Sequence, residues 1–263
     1  MPHLIRDGVE IFYEVHGSGP ALLLTHGYSS TLHMWTGQVV PFSRYFKLIT
    51  WDMRGHGRSA SPDDPRQYSE AATVADMAAL LHAAGAESAI IGGLSLGGYM
   101  SLAFHLAHPM RTRALLIFDT GPGFRNDEAR EVWNTRAKKT AERLGAEGLS
   151  RLAAGSAELR EAQHAGAAGL ALAARGMLTQ RDARVINSLA DIRVPTLVVV
   201  GANDEPFLKA SDYMAAKIPG AKKVVIPDAG HAANIDQPEK FNETVLAFLR
   251  DAPMVGDSEV RPV

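Results

Sequence analysis

Residues 90–101 read IIGGLSLGGYMS. An apolar run with the character of a buried strand stops at a single serine, Ser95, and the chain turns at once into a helix-like segment. Gly93 and Gly97 stand two residues to either side. Glycine tolerates strained backbone and very close packing better than any other residue. The spacing therefore predicts that Ser95 is held on a sharp strand-to-helix turn. Two readings follow, a chemical serine lifted out of a sheet or a plain glycine-rich connection, and the rest of the chain decides between them.

Working outward, short apolar runs recur at 21–25, 48–51, 89–91, 114–118, 196–200 and 223–226. They are continuous rather than alternating, as expected of strands buried on both faces of a parallel sheet. Helix-like segments at 71–84, 96–107, 209–218 and 237–250 fall between most of them, which predicts an α/β fold with a mostly parallel central sheet and helices on both faces. Asp7-Gly8 between two short alternating runs signals a hairpin. From about Gly121 to about Ala190 no strand pattern occurs. That stretch is rich in Ala, Arg and Glu, and helices are expected near 125–144 and 158–176. The expected organisation is a core of 1–120 and 191–250, a helical cap of 121–190 inserted over the sheet, and a loose polar tail of 251–263.

Composition narrows the function classes. The chain has 263 residues, 46% hydrophobic and 21% charged, with a net charge of −2. That is a globular profile without the basic excess of a nucleic-acid binder. It has no cysteine, so disulfides, thiolate catalysis and Cys-ligated metals are excluded. The N-terminal MPHLIRDGVEIFYEVHG lacks the basic start and apolar core of a signal peptide. No apolar run approaches the roughly 20 residues that span a bilayer. A cytoplasmic protein with neither membrane nor nucleic-acid partners is expected.

A serine hydroxyl is a weak nucleophile and needs a base, which in turn needs an orienting acid. Two sites follow Ser95 in the chain, both just after buried runs, where open α/β sheets bind ligands. Gly201-Ala202-Asn203-Asp204-Glu205-Pro206 follows TLVVV, and Asp228-Ala229-Gly230-His231 follows KVVI. The assignment is Ser95 as nucleophile, His231 as general base and acid, and Asp204 as orienter. Asp119, which ends ALLIF, is a rival carboxylate; Glu205 is set aside because neighbours on an extended turn point apart. Asp228 reads as a turn residue. Acyl chemistry also needs two donors aimed at an oxyanion. The residue after the nucleophile, Leu96, supplies one amide, and Tyr28, after Thr25-His26-Gly27, supplies the other. His26 is expected to buttress that loop by hydrogen bonding. Residues 51–59, WDMRGHGRS, read as a structural turn pinned by Asp52, Arg54 and His56, because no G-K-[ST] follows to make a phosphate loop.

Together the motifs THGY, DMRGHGRS, GLSLGG, GAND and GH resemble the α/β-hydrolase superfamily. The match covers nearly the whole chain except the cap and tail, and within the superfamily it is most similar to small bacterial carboxylesterases and 3-oxoadipate enol-lactonase-like hydrolases. The resemblance implies a Ser95–His231–Asp204 triad, oxyanion donors at Tyr28 and Leu96, and hydrolysis of a small-molecule ester or lactone without metal or organic cofactor. It leaves C–C hydrolase, perhydrolase and lyase chemistry, or a receptor on the same fold, as alternatives. In the cap, Val132, Trp133, Leu144, Leu170, Leu172 and Met177 are expected mostly to pack the cap itself. The Ala/Gly-rich 165–176 is expected to leave room above Ser95. Arg136, Lys138, Lys139 and Arg175 are expected on a solvated face, the alternative being that they favour an acidic substrate such as a dicarboxylate lactone.

Overall fold

The computed structural model describes residues 3–160 and 162–252. Its strands are β1 (His3–Arg6), β2 (Val9–His16), β3 (Ala21–Thr25), β4 (Lys47–Trp51), β5 (Ala89–Leu94), β6 (Thr112–Phe118), β7 (Thr196–Gly201) and β8 (Lys222–Ile226). They form a single sheet in the order β1-β2-β4-β3-β5-β6-β7-β8. The β1–β2 and β2–β4 pairs are antiparallel and the others parallel. The first hairpin turns on Asp7 and Gly8, with φ of 51° and 74°. Two successive positive φ values are what a tight turn between right-twisted strands requires.

The helices are α1 (Thr36–Ser43), α2 (Glu70–Ala83), α3 (Leu96–Ala107), α4 (Asp127–Glu147), α5 (Ala157–Arg160), α6 (Ala167–Ala173), α7 (Arg184–Ser188), α8 (Glu205–Lys217), α9 (Ala233–Asp236) and α10 (Pro238–Asp251). Side chains alternate across a strand, so each central strand feeds two cores. Leu23, Ile91, Leu115 and Ile117 pack with Met77 and Leu80 of α2, Phe104 of α3 and Met214 of α8. Leu22, Leu24, Ile90 and Leu116 pack on the other side with Phe42 of α1 and Phe241, Val245 and Phe248 of α10. In α10 the buried residues fall at 241, 245, 248 and 249, one stripe of an amphipathic helix. Caps fix two helix starts: the Ser69 hydroxyl accepts the Ala72 N–H ahead of α2, and the Asn126 amide oxygen accepts the Ala129 N–H ahead of α4.

The structure departs from the sequence reading in four places. β8 is not buried on both faces. It is an edge strand with Lys222, Lys223 and Val225 exposed and only Ile226 buried. The lysines discourage pairing with another chain at that edge. Second, α1 was not anticipated, since Gly37 and Pro41 weaken its helical signal; burial of Gln38 and Phe42 holds it. Third, the helix expected over 158–176 is broken into α5, α6 and a π-turn at Ala174–Leu178. Fourth, two of the glycines there, Gly169 and Gly176, serve close approach to the core, while Gly166 alone faces open space. A Cβ at Gly169 would strike Gly55 and Ser61, and one at Gly176 would strike the Tyr68 carbonyl. As for the expected tail, α10 reaches Asp251, and 253–263 lie outside the described residues.

Candidate active site

Ser95 sits between the last residue of β5 and the first of α3, with φ 56° and ψ −118°. A non-glycine residue held at positive φ costs about 1–3 kcal/mol, so its surroundings must enforce it. They do so by close backbone crossing. A Cβ on Gly97 would collide with the Thr25 carbonyl of β3, and one on Gly93 with the backbone of Gly97. The tip of β6 splints the turn: the Ser95 N–H donates to the Phe118 carbonyl (2.9 Å), and the Thr120 hydroxyl donates to the Ser95 carbonyl (2.6 Å).

Ser95 and Leu96 line a cavity of about 400 Å³ whose walls include four aromatic rings, those of Tyr99, Phe124, Trp133 and Phe207. Trp133 comes from α4, where its indole N–H donates to the Leu178 carbonyl (2.8 Å). The segment between β6 and β7 thus closes the cavity opposite the sheet. Of the cap residues singled out in the sequence, Trp133 and Arg136 line this cavity, whereas Leu144, Leu170 and Met177 are buried away from it. Lys138, Lys139 and Arg175 do not border it. Arg136 is exposed at the rim.

Asp204 and His231 come together. Asp204 follows β7, His231 follows β8, and the His231 Nδ1–H donates to Asp204 Oδ2 at 2.9 Å. Gly201 permits this, since a Cβ there would collide with the Ala229 and Gly230 carbonyls of the loop that carries His231. The imidazole stacks on Phe207, centroids 5.2 Å apart at 26°, and Phe207 is itself a cavity wall. Asp204 is 4% exposed, while the neighbouring Glu205 is exposed and opens α8. Asp228, with φ 56°, is an exposed turn residue.

Asp119 does not pair with His231. It is fully buried at φ 44°, its N–H donates to Val199, and its Oδ1 accepts the Gly201 N–H at 2.7 Å. Its carboxyl faces that of Asp204. Burial first, and the Asp204 charge as well, push the Asp119 carboxyl well above the usual carboxylate range; the Gly201 amide opposes this.

The loop after β3 abuts the serine turn: a Cβ on Gly27 would lie 3.4 Å from that of Ser95. Tyr28 follows Gly27 in that loop, and Leu96 follows Ser95. Leu96 opens a helix, where first-turn N–H groups lack an intrahelical acceptor. His26 braces the loop as expected. Its Nδ1–H donates to the Gly27 carbonyl (2.7 Å) and its Nε2 accepts the Met53 N–H (3.0 Å). Burial pulls its pKa to about 3, so it is neutral. Residues 52–59 are a structural turn. Asp52 accepts the Leu32 and Arg58 N–H groups, and Arg54 makes a buried fork to Asp76 of α2 at 2.7 and 2.8 Å.

One residue of the loop's support escaped the sequence reading. His164 donates from Nε2 to the Ser29 carbonyl (3.0 Å) and accepts the Gly57 N–H at Nδ1 (3.0 Å). The Tyr28 hydroxyl also reaches the same segment, at the Leu170 carbonyl (2.8 Å). A lone histidine in a Gly/Ala-rich stretch carries no pattern that would single it out. Among the described residues no group of three His, Asp or Glu is arranged to hold a metal ion, and no helix is long and apolar enough to cross a membrane.

Comparison with known proteins adds an independent line. The family described as "Alpha/beta hydrolase family" matches residues 22–244. The chain is 27% identical to 3-oxoadipate enol-lactonase 1 of Acinetobacter baylyi, over 93% of this chain and 95% of that one. It is 27% identical to pimeloyl-[acyl-carrier protein] methyl ester esterase of Pectobacterium atrosepticum, over 91% and 98%. Among solved structures, a thermophilic esterase from Thermogutta terrifontis superposes with a TM-score of 0.79 at 30% identity, covering 92% of this chain and 93% of that one.

Proposed function

The chain belongs to the alpha/beta hydrolase family, and from that premise we propose that it cleaves a small to medium carboxylic ester or lactone through an acyl-enzyme on Ser95. One observation carries the reading. A serine held at φ 56° lines an aromatic cavity, and a wall of that cavity, Phe207, stacks on an imidazole already paired with a buried carboxylate.

The chemistry follows from these groups. With Nδ1–H committed to Asp204, the Nε2 of His231 is the basic nitrogen. It takes the Ser95 hydroxyl proton as Oγ attacks the substrate carbonyl. The developing oxyanion is held by the Leu96 and Tyr28 amides, which need no reorganisation because both backbones are fixed by close packing. His231 then gives its proton to the departing alkoxide. A water attacks the acyl-enzyme with the same base, releasing the acid and restoring Ser95. Asp204 stays ionised and steadies the imidazolium formed in each half.

The cavity supports the substrate class. Its volume, near 400 Å³, is at the small end of ligand pockets, and its aromatic walls suit an apolar acyl or alkoxy group. The enol-lactonase and methyl ester esterase relatives fit an acyl-oxygen target. The test is hydrolysis of p-nitrophenyl acetate, butyrate and octanoate by the wild type and by Ser95→Ala. Turnover by the wild type, lost by several orders of magnitude in the variant, supports the reading. Equal rates in both overturn it, as does no turnover of any of these esters together with none of an enol-lactone.

A further inference from the structure

Asp119 takes no part in the steps above, yet it is held under constraint. It is wholly buried at a positive φ that only its surroundings can maintain. One carboxyl oxygen accepts the Gly201 N–H. The other, Oδ2, is buried and takes no hydrogen bond in the protein, although the Ala233 amide faces the carboxyl. The neighbour that its carboxyl meets is the carboxyl of Asp204, which already accepts the His231 N–H. Two ionised carboxylates have only lone pairs to offer each other, and like charges that close in a dry site do not both persist. A single proton between them satisfies the unmet oxygen and removes the repulsion. The charge stays on Asp204, because the imidazole N–H stabilises it there. Backbone N–H groups of Gly201 and Ala233 face Asp119, and Asp204 is the charged group acting on it.

We propose that Asp119 is a positioning residue that remains protonated and donates its hydrogen to Asp204, so that a three-member relay Asp119–Asp204–His231 holds one negative charge. The hydrogen bond fixes the Asp204 rotamer from behind and keeps His231 facing a monoanion. A dianion would bind the imidazolium proton too tightly to release it to a leaving group. The significance for turnover rests on the serine-hydrolase reading; the location of the proton does not.

The experiment is an infrared difference spectrum at neutral pH of the wild type against Asp119→Asn. The expected result is the loss of a protonated-carboxyl C=O band that shifts in heavy water. Asparagine keeps an N–H donor without adding charge, so kcat/KM should stay within about threefold and the acid limb of its pH profile should not move. Asp119→Ala, which has no donor, should lose roughly tenfold or more in kcat with little change in KM. A carboxylate band in place of the protonated one overturns the proposal. So does an acid limb displaced by one pH unit or more in Asp119→Asn, the effect of losing a nearby charge. Should Asp119→Asn fail to fold, Asp204→Asn serves instead. It removes the carboxylate that accepts the Asp119 hydrogen, so the protonated band should vanish or move to higher frequency, and a band unchanged in position overturns the proposal. The spectra need no turnover, so failure of the relay and failure of the esterase reading are separate results.

Discussion

At the scale of single residues the site is a set of backbone and side-chain groups fixed before any substrate arrives. Ser95 is strained into place, His231 is tautomer-locked by Asp204, and His26 is locked between the Gly27 carbonyl and the Met53 amide. Asp204→Asn is expected to lower kcat/KM by roughly 10³ or more on p-nitrophenyl esters, since the buried charge that orients the imidazole is lost. His26 makes a prediction about stability. Its folded pKa, about 3, lies below its ordinary 6.5, so between those values the unfolded chain binds a proton that the folded chain refuses. The stability it contributes is present above pH 6.5 and is lost as the pH falls toward 3. Urea unfolding at stepped pH should show the wild type losing stability below pH 6.5. His26→Asn should show a slope shallower by about 1.4 kcal/mol per pH unit between those limits. Parallel slopes would contradict the neutral, buried assignment. The three residues Ser95, Asp204 and His231 were legible in the sequence because each follows an apolar strand in a fixed chain order. Asp204 was assigned over Asp119, which also ends a strand, and the structure pairs Asp204 with His231; the contact of the two carboxyls was not legible, since it is a matter of three-dimensional packing.

At the scale of elements, glycine has two uses here, and they predict opposite outcomes. Gly97 lies where α3 crosses β3, and a methyl group there meets the Thr25 carbonyl. Gly97→Ala should destabilise the fold by about 1–3 kcal/mol and depress ester hydrolysis beyond that, because the serine turn must shift. Gly145 lies inside α4 with nothing within 4 Å of an added Cβ. Gly145→Ala should raise stability by about 1 kcal/mol and leave activity unchanged. A thermal melt of both variants checks the pair, and the reverse order of stabilities would contradict the packing described here. The same distinction marks what sequence could not reveal. The glycines at 169 and 176 look like a source of open space, but they are contact points with Gly55 and Tyr68. Likewise β8 reads as buried because Val224, Val225 and Ile226 are apolar, while its place at the sheet edge leaves Val225 39% exposed.

At the scale of the whole molecule, the segment between β6 and β7 joins specificity to chemistry. It supplies Trp133 to the cavity and ties itself to the loop beside Ser95 through His164 and Leu170. Trp133→Ala should enlarge the cavity. The ratio of kcat/KM for p-nitrophenyl octanoate over acetate is then expected to rise roughly tenfold, the worth of one or two methylenes newly accommodated. An unchanged ratio would place the acyl chain elsewhere. The fold itself was readable in outline because strand runs and glycine-rich turns are local signals. The contacts that tie the cap to the core were not, because they join residues more than a hundred positions apart. The measurement that bears most directly on the central claim is rapid-quench mass spectrometry of the wild type mixed with p-nitrophenyl butyrate. The account predicts a burst of p-nitrophenol and a butyryl adduct on the peptide containing Ser95, absent in Ser95→Ala. Release of p-nitrophenol with no adduct on that peptide, or with the adduct on another residue, would contradict it.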